Sequence, residues 1–418
     1  MDFSWSDEQL AFKESVIKFA KNELNSAIIE RDSNCQFEKK LWQKCARFGI
    51  QGLSIPEKYG GVGTDPLTAV LVMEGFGFGC RDNGLTFALN SQMWSVQPTI
   101  LDFGSEAQKE KYLPGLCRGE LIGAYGMTEP DSGSDAFSLR TRAQKQDNGY
   151  VLNGTKTLVT FAPLADFVVV FATINPDLGK WGVTAFVVDK DTPGFKVSRC
   201  MDKMGLRTVP IGELIFEDCF IPEEQRIGPD GAGSSIFNSS QEWERSIILA
   251  SQLGAMERQL EQAIQYAGDR RQFGQPIGKF QSVSNRIADM KVRLETARLL
   301  TYKVAWLKSI GKPVMMDAAL AKLYLSECFV ESSLDAIRVH GGYGYMTEFE
   351  VERDLRDAVG GTLYGGTSDI QRNIVAGITG AVAKTAKCNS IFLTGSTGWT
   401  GSNFIRKHNN PVNPVNPV

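Results

Sequence analysis

The chain has 418 residues, 42% of them apolar, with 45 basic and 48 acidic residues and a net charge of −3. This length allows two or three domains around a large core, and the composition excludes global disorder. The balanced charge leaves no basic surface for nucleic acid, and the longest dense apolar run, Phe167–Ala172, is far too short to span a bilayer.

Residues 1–120 read as helical. Ser6-Asp7-Glu8-Gln9 forms a capping box, and Leu10, Val16, Phe19 and Leu24 follow at roughly helical spacing. The Gly- and Pro-rich stretch 56–63 predicts a loop, after which helical patterns resume through Met73 and Met93. From 121 to 232 the pattern changes. The short runs Tyr150–Leu152, Thr157–Thr160, Phe167–Ala172 and Val183–Val188, separated by Gly, Asn, Asp and Pro, predict a β domain. Residues 233–383 are helical again, with periodic stretches at Ser234–Ala267 and Gln281–Ile310. The tail, 384–418, reads as disordered or vestigial: its NPV repeat cannot pack a core. Gly395–Gly401, after the apolar run Ser390–Thr394, resembles the opening of a dinucleotide-binding unit but lacks the remainder. The acidic start Met1–Trp5 has no signal-peptide pattern, and the eight cysteines contain no CxxC pair. Reduced thiols and a cytoplasmic protein are expected.

Of two histidines, His408 lies in the tail. His340, beside two glycines, reads as structural. Metal sites and His-based triads are therefore poorly served, and a carboxylate is the expected general base.

Segment 125–135 (YGMTEPDSGSD) gathers small residues, hydroxyls and backbone N–H groups that can approach a polar planar ring or a phosphate. It resembles the TEPxxGSD signature of the acyl-CoA dehydrogenase superfamily, which lies along the flavin. Further segments resemble that family in order: 153–156 (NGTK) with Leu158 and Thr160; 270–274 (RRQFG) with Phe280 and Gln281; 340–344 (HGGYG); and 367–372 (TSDIQR). The resemblance covers about residues 1–383. It implies an α+β, mainly α fold, with an N-terminal helical domain (1–120), a middle β-barrel domain (121–232) and a C-terminal four-helix bundle (233–383). It also implies a homotetramer with FAD between subunits. The residues carried over to FAD are Tyr125, Met127, Thr128, Gly133, Ser134, Leu158, Thr160, Arg270, Gln272, Phe273, Gln281, Arg338, Gly341, Gly342, Thr367 and Asp369.

Oxidation beside a thioester carbonyl needs a partly desolvated carboxylate to take the Cα proton. In the medium-chain branch of the family this group sits in a YEGT loop, but here the loop is Tyr364-Gly365-Gly366-Thr367. The isovaleryl branch instead places a Glu on a helix just before an Arg, a pattern matched by Glu244 and Arg245. On a helix Glu244 shares its face with Ile247, Ile248 and Ser251, where a carboxylate is costly unless it has a task. Glu242, three residues from Arg245, is expected to form a surface ion pair with it. The resemblance leaves the backbone N–H of Gly365 as a donor to the thioester carbonyl.

The residues flanking Glu244 are similar to those of the L-prolyl-carrier-protein dehydrogenases, whose substrate is proline on a phosphopantetheine arm. A branched acyl-CoA thioester is the rival substrate. A non-catalytic flavoprotein is a rival of another class, opposed by retention of Glu244, Arg245 and the flavin segments. An NAD-linked reductase rests on Gly395–Gly401 alone. Leu158 stands where the family often has an aromatic residue, so the electron acceptor is expected to be either oxygen or an electron-transfer flavoprotein. Arg338 and Asp369 also depart from the family pattern near the adenosine end.

Overall fold

The computed structural model describes residues 4–381, so the tail motifs at 390–401 and 410–418 lie outside it. Seven helices come first: α1 (Asp7–Glu23), α2 (Ile28–Ser33), α3 (Lys39–Phe48), α4 (Pro66–Gly79), α5 (Asn83–Ser91), α6 (Gln97–Phe103) and α7 (Glu106–Cys117). α1 starts on the predicted capping box, with Gln9 N–H donating to Ser6 Oγ at 3.2 Å and Ser6 N–H to Gln9 Oε1 at 3.0 Å. A second box, Ser105 with Gln108, opens α7. Between α5 and α6 the chain forms a π turn, Gln92–Val96.

Eight strands follow: β1 (Gly123–Gly126), β2 (Arg142–Gln146), β3 (Gly149–Thr160), β4 (Phe167–Thr173), β5 (Val183–Asp189), β6 (Phe195–Cys200), β7 (Ile211–Pro222) and β8 (Arg226–Ile227). They form one sheet in the order β6-β7-β3-β2-β4-β5-β8, with β1 added in parallel to β4. The two runs read at Tyr150–Leu152 and Thr157–Thr160 are one strand, β3, interrupted by bulges where Leu158 turns to φ +56. β4 is buried along its whole length. Its side chains alternate between two core clusters, Val168 and Val170 on one face, Val169 and Phe171 on the other. Helices and loops therefore cover both faces of the sheet.

The helices then resume: α8 (Gly233–Ile247), α9 (Ala250–Asp269), α10 (Gln281–Ser309), α11 (Met315–His340), α12 (Val351–Gly361) and α13 (Ser368–Thr379). The periodic stretch 234–267 is two helices, broken at Ile248–Leu249, where Leu249 leaves helical geometry. α9 packs on α10, on α11 and on α4 of the N-terminal half. A Cβ on Gly254 would overlap the Glu74 carbonyl, and one on Gly77 would overlap that of Ser251, so α4 and α9 cross backbone to backbone. Among the described residues no helix is long and apolar enough to cross a membrane.

Candidate active site

Glu244 lies in the last turn of α8 and is 8% exposed. Its Oε2 accepts from Gln241 Nε2 at 2.5 Å and from Ser95 Oγ at 3.2 Å. Ser95 reaches it from the π turn, an irregularity that often marks a functional site. Burial pushes the Glu244 carboxyl above its ordinary range, and Arg245, Ser95, Gln241 and Lys322 offset only part of that. The result is a carboxylate of raised basicity, held in one orientation.

The expected Glu242–Arg245 pair does not form. Glu242 Oε1 instead meets Lys308 Nζ at 3.0 Å, and the same ammonium lies 4.0 Å over the Trp243 ring. Arg245 turns inward, and its Nε points at Gly365 O at 3.4 Å. α10 supplies a cation on the outer side, so helical spacing alone did not fix the partner.

Gly365 and Gly366 have φ of +64° and +84°, left-handed values that glycine adopts without steric cost. Their carbonyls are firmly held. Gly365 O accepts from Gln371 Nε2 at 3.1 Å as well as from Arg245; Gly366 O accepts from Gln371 Nε2 at 2.9 Å and Lys322 Nζ at 2.7 Å. The N–H groups of both glycines have no partner among the described residues. A Cβ on Gly365 would sit 3.3 Å from Glu244 Oε1. The loop that carries a carboxylate in the medium-chain branch and the helix that carries one here thus converge on one point.

Beyond Glu244 the site closes. Tyr364 OH accepts from Gln252 Nε2 at 3.0 Å, and the Tyr364 ring packs on Phe87 at 4.5 Å. Thr86, Ser251 and Asp357 complete a cavity of about 10 Å³, room for one water. Burial lifts Asp357 to about 7. On the opposite side Tyr125 OH lies 2.5 Å from Ser240 Oγ, one turn before Glu244 on α8.

Most of the residues carried over to FAD lie in two places. The first is the edge of the sheet. Met127 is buried, Thr128 O accepts from Thr157 N–H at 2.9 Å, and Leu158, 57% exposed, stands with Thr160 at the bulge of β3. Gly133 and Ser134 lie in the exposed turn that follows. Lys156, the last residue of the 153–156 segment, anchors this ledge: its buried Nζ donates to Met127 O at 3.0 Å and to Glu129 Oε1 at 2.7 Å. Burial lowers Lys156 to about 8, with Glu129 opposing. The second place is a cleft of about 540 Å³ between the ends of α9 and α11, lined by Arg270, Gln272, His340, Gly341, Gly342 and Tyr343. His340 is structural in its contacts. Nδ1 lies 2.8 Å from Ala336 O, the ring stacks on Tyr266 at 4.2 Å, and burial lowers its pKa. Phe273 (92% exposed), Gln281, Arg338 and Asp369 lie outside the lining of this cleft; Arg338 bonds Asp335 and Asp369 bonds Arg372. Thr367 caps α13, accepting from Ile370 N–H at 3.3 Å.

Gln241 could have been found one turn before Glu244. Gln371 lies within the 367–372 motif, though its role there was not read; Ser95 and Lys322 carry no such signal, because only folding brings them to the site.

The chain matches the models described as acyl-CoA dehydrogenase N-terminal domain over residues 6–120, middle domain over 124–219 and C-terminal domain over 231–378. It is 42% identical to an L-prolyl-[peptidyl-carrier protein] dehydrogenase of Pseudomonas fluorescens, over 90% of this chain and 99% of that one. It is 38% identical to the mitochondrial isovaleryl-CoA dehydrogenase of Oryza sativa, over 89% and 91%. Among solved structures, the prolyl acyl carrier protein oxidase AnaB is 48% identical with a TM-score of 0.89, covering 90% of this chain and 100% of that one. PigA with FAD and proline is 40% identical with a TM-score of 0.89, covering 91% and 99%. The chain belongs to the acyl-CoA dehydrogenase family, whose cofactor is FAD. The two places fit that cofactor: an exposed apolar and hydroxyl ledge suits a flavin ring, and in the cleft a Cβ on Gly341 or Gly342 would meet open space beside the Arg270 cation, as a pyrophosphate needs.

Proposed function

We propose that this acyl-CoA dehydrogenase oxidises an L-prolyl thioester, carried on the phosphopantetheine arm of a carrier protein, to a pyrroline thioester. The observation that carries the reading is the desolvated Glu244 carboxylate, 3.3 Å from where a Cβ on Gly365 would sit, beside a loop whose Gly365 and Gly366 N–H groups have no partner among the described residues. The thioester oxygen accepts from the loop N–H, which acidifies the Cα–H and stabilises the enolate-like charge as it develops. Glu244 takes the Cα proton, and Gln241 and Ser95 hold its carboxylate still. Bound FAD supplies the hydride acceptor for the ring C–H electrons. A second passage through the same groups would give a pyrrole.

The short floor at Phe87, Tyr364 and Gln252 supports a compact ring over an extended chain. The prolyl names of the relatives at 42% and 48% identity support proline over isovalerate. We further propose a homotetramer, supported by the exposed Phe273, Val292, Leu299 and Tyr345, and oxygen as electron acceptor, supported by Leu158. The seven described cysteines are free thiols, which supports the cytoplasm as the compartment. In this reading Glu244 is the base, Arg245 orients the glycine loop, and the two places hold FAD.

The test is anaerobic flavin absorbance on mixing the holoenzyme with L-prolyl carrier protein and, separately, with isovaleryl-CoA. Bleaching by the prolyl carrier is expected. Bleaching by isovaleryl-CoA alone would move the enzyme to branched acyl-CoA oxidation, with Glu244 in the same role.

A further inference from the structure

Lys322, on α11, is 1% exposed. Buried lysines are rare and costly unless paired. Among the described residues, the one hydrogen bond of this ammonium is to the Gly366 carbonyl at 2.7 Å. A neutral side chain could satisfy a carbonyl, so the buried charge calls for a further reason. Its surroundings supply one: the charged groups that act on Lys322 are Glu244, Arg245 and Glu327. Two of these are the carboxylate and its neighbour on α8.

The loop itself needs holding. Two consecutive glycines leave the backbone unusually free. A planar trans peptide sets each N–H antiparallel to the carbonyl before it. Pinning Gly365 O therefore aims the Gly366 N–H, and pinning Gly366 O fixes the far side of the same residue. Arg245, Gln371 and Lys322 make these bonds from α8, α13 and α11. Gln371 is fully buried and touches both carbonyls.

We propose that Lys322 is a positioning residue which, by holding the Gly366 carbonyl together with Gln371, fixes the backbone of residue 366 and so keeps the Gly366 N–H, aimed through Gly365 O by Arg245 and Gln371, directed at the thioester oxygen. The proposal rests on the thioester reading given above. Burial lowers Lys322 to about 8, with Glu244 opposing, which accords with an ammonium kept charged by its neighbour.

The test uses the holoenzyme and thioesters labelled with carbon-13 at the carbonyl: a pyrrole-2-carboxyl pantetheine thioester and isovaleryl-CoA. Difference infrared spectra report how far bound carbonyl stretches fall in frequency. In Lys322→Met the downshift is expected to shrink, with flavin reduction about tenfold slower at saturating substrate and half-saturation changed less than about threefold. Gln371→Met is expected to do the same, and Lys322→Gln, which keeps a donor without the charge, to recover part of the shift. A parental carbonyl band in folded Lys322→Met overturns the proposal. Should that variant not fold, parental bands in both Lys322→Gln and Gln371→Met overturn it. A parent enzyme that answers to isovaleryl-CoA alone overturns the prolyl reading, while the band of that ligand still decides the role of Lys322. A parent that polarises neither carbonyl overturns both.

Discussion

Gly365→Ala separates geometry at the carboxylate from the cost of a strained backbone. The residue sits at φ +64, so an added side chain in the left-handed region costs about 1–2 kcal/mol. The new Cβ would lie 3.3 Å from Glu244 Oε1, close enough that the carboxylate must retreat by a few tenths of an ångström. Its other oxygen is tied to Gln241 and Ser95, so the retreat stretches those bonds. If a 1 Å misplacement costs about 100-fold, a shift of this size slows the reaction roughly fivefold. Gly60→Ala is the control: φ is +82 and a Cβ there meets nothing within 4 Å. Both variants should lose similar stability in urea titrations. In anaerobic stopped-flow with prolyl carrier protein, only Gly365→Ala should reduce its flavin more slowly. Equal destabilisation with equal, parental reduction rates would show that the loop does not abut the base, and the site as assembled would be wrong.

Other expectations follow from the same contacts. Glu244→Gln should retain FAD, read from its visible spectrum, yet lose flavin reduction by a factor of about 10²–10⁴. The same variant should be more heat-stable at neutral pH. The folded-state pKa of Glu244 is raised, so the folded protein binds its proton more tightly than the unfolded chain. Stability is therefore lost as pH rises from the ordinary carboxylate value through the raised one, and glutamine escapes that loss. Melting scans across pH should show the two proteins converging in acid. The parental reduction rate should fall as pH drops through the raised value, above the range of an exposed glutamate, which a pH series of single turnovers would reveal. Lys156→Met leaves Glu129 buried without its cation and should cost about 3–5 kcal/mol. It also frees the Met127 carbonyl, so the flavin-to-protein absorbance ratio after gel filtration should drop.

Much of the architecture was legible because it depends on local pattern. The Ser6 box, the strands in 167–173 and 183–189, and the return of helices after 233 follow from periodicity and capping chemistry. Glu244 was pointed to by the resemblance to the isovaleryl branch, and its place on a helical face with Ile247, Ile248 and Ser251 agrees with that. What periodicity could not supply was the partner across space. It paired Arg245 with Glu242 along the helix, whereas the fold gives Glu242 to Lys308 and turns Arg245 toward the glycine loop. It gave 234–267 as one periodic stretch and did not locate the break at Ile248–Leu249 between α8 and α9. Lys322 looks like an ordinary surface lysine in a one-dimensional reading; its burial is decided by helices that arrive from elsewhere.

The π turn at Gln92–Val96 sets the phase between α5 and α6. It holds one residue more than an α-helical turn would, and each residue turns a helix by about 100°. Deleting a single residue there would let the two helices run on as one smooth cylinder, a local gain in regularity. Everything on one side of the deletion would then be rotated relative to the other. Ser95 would swing away from Glu244, and the Asn90 side chain, now bonded to Ser251 at 3.1 Å and to Trp94 at 2.8 Å, could no longer face α9 and Trp94 together. The extra residue acts as an angular spacer, and the most regular version of this helix would be the one that cannot orient the carboxylate.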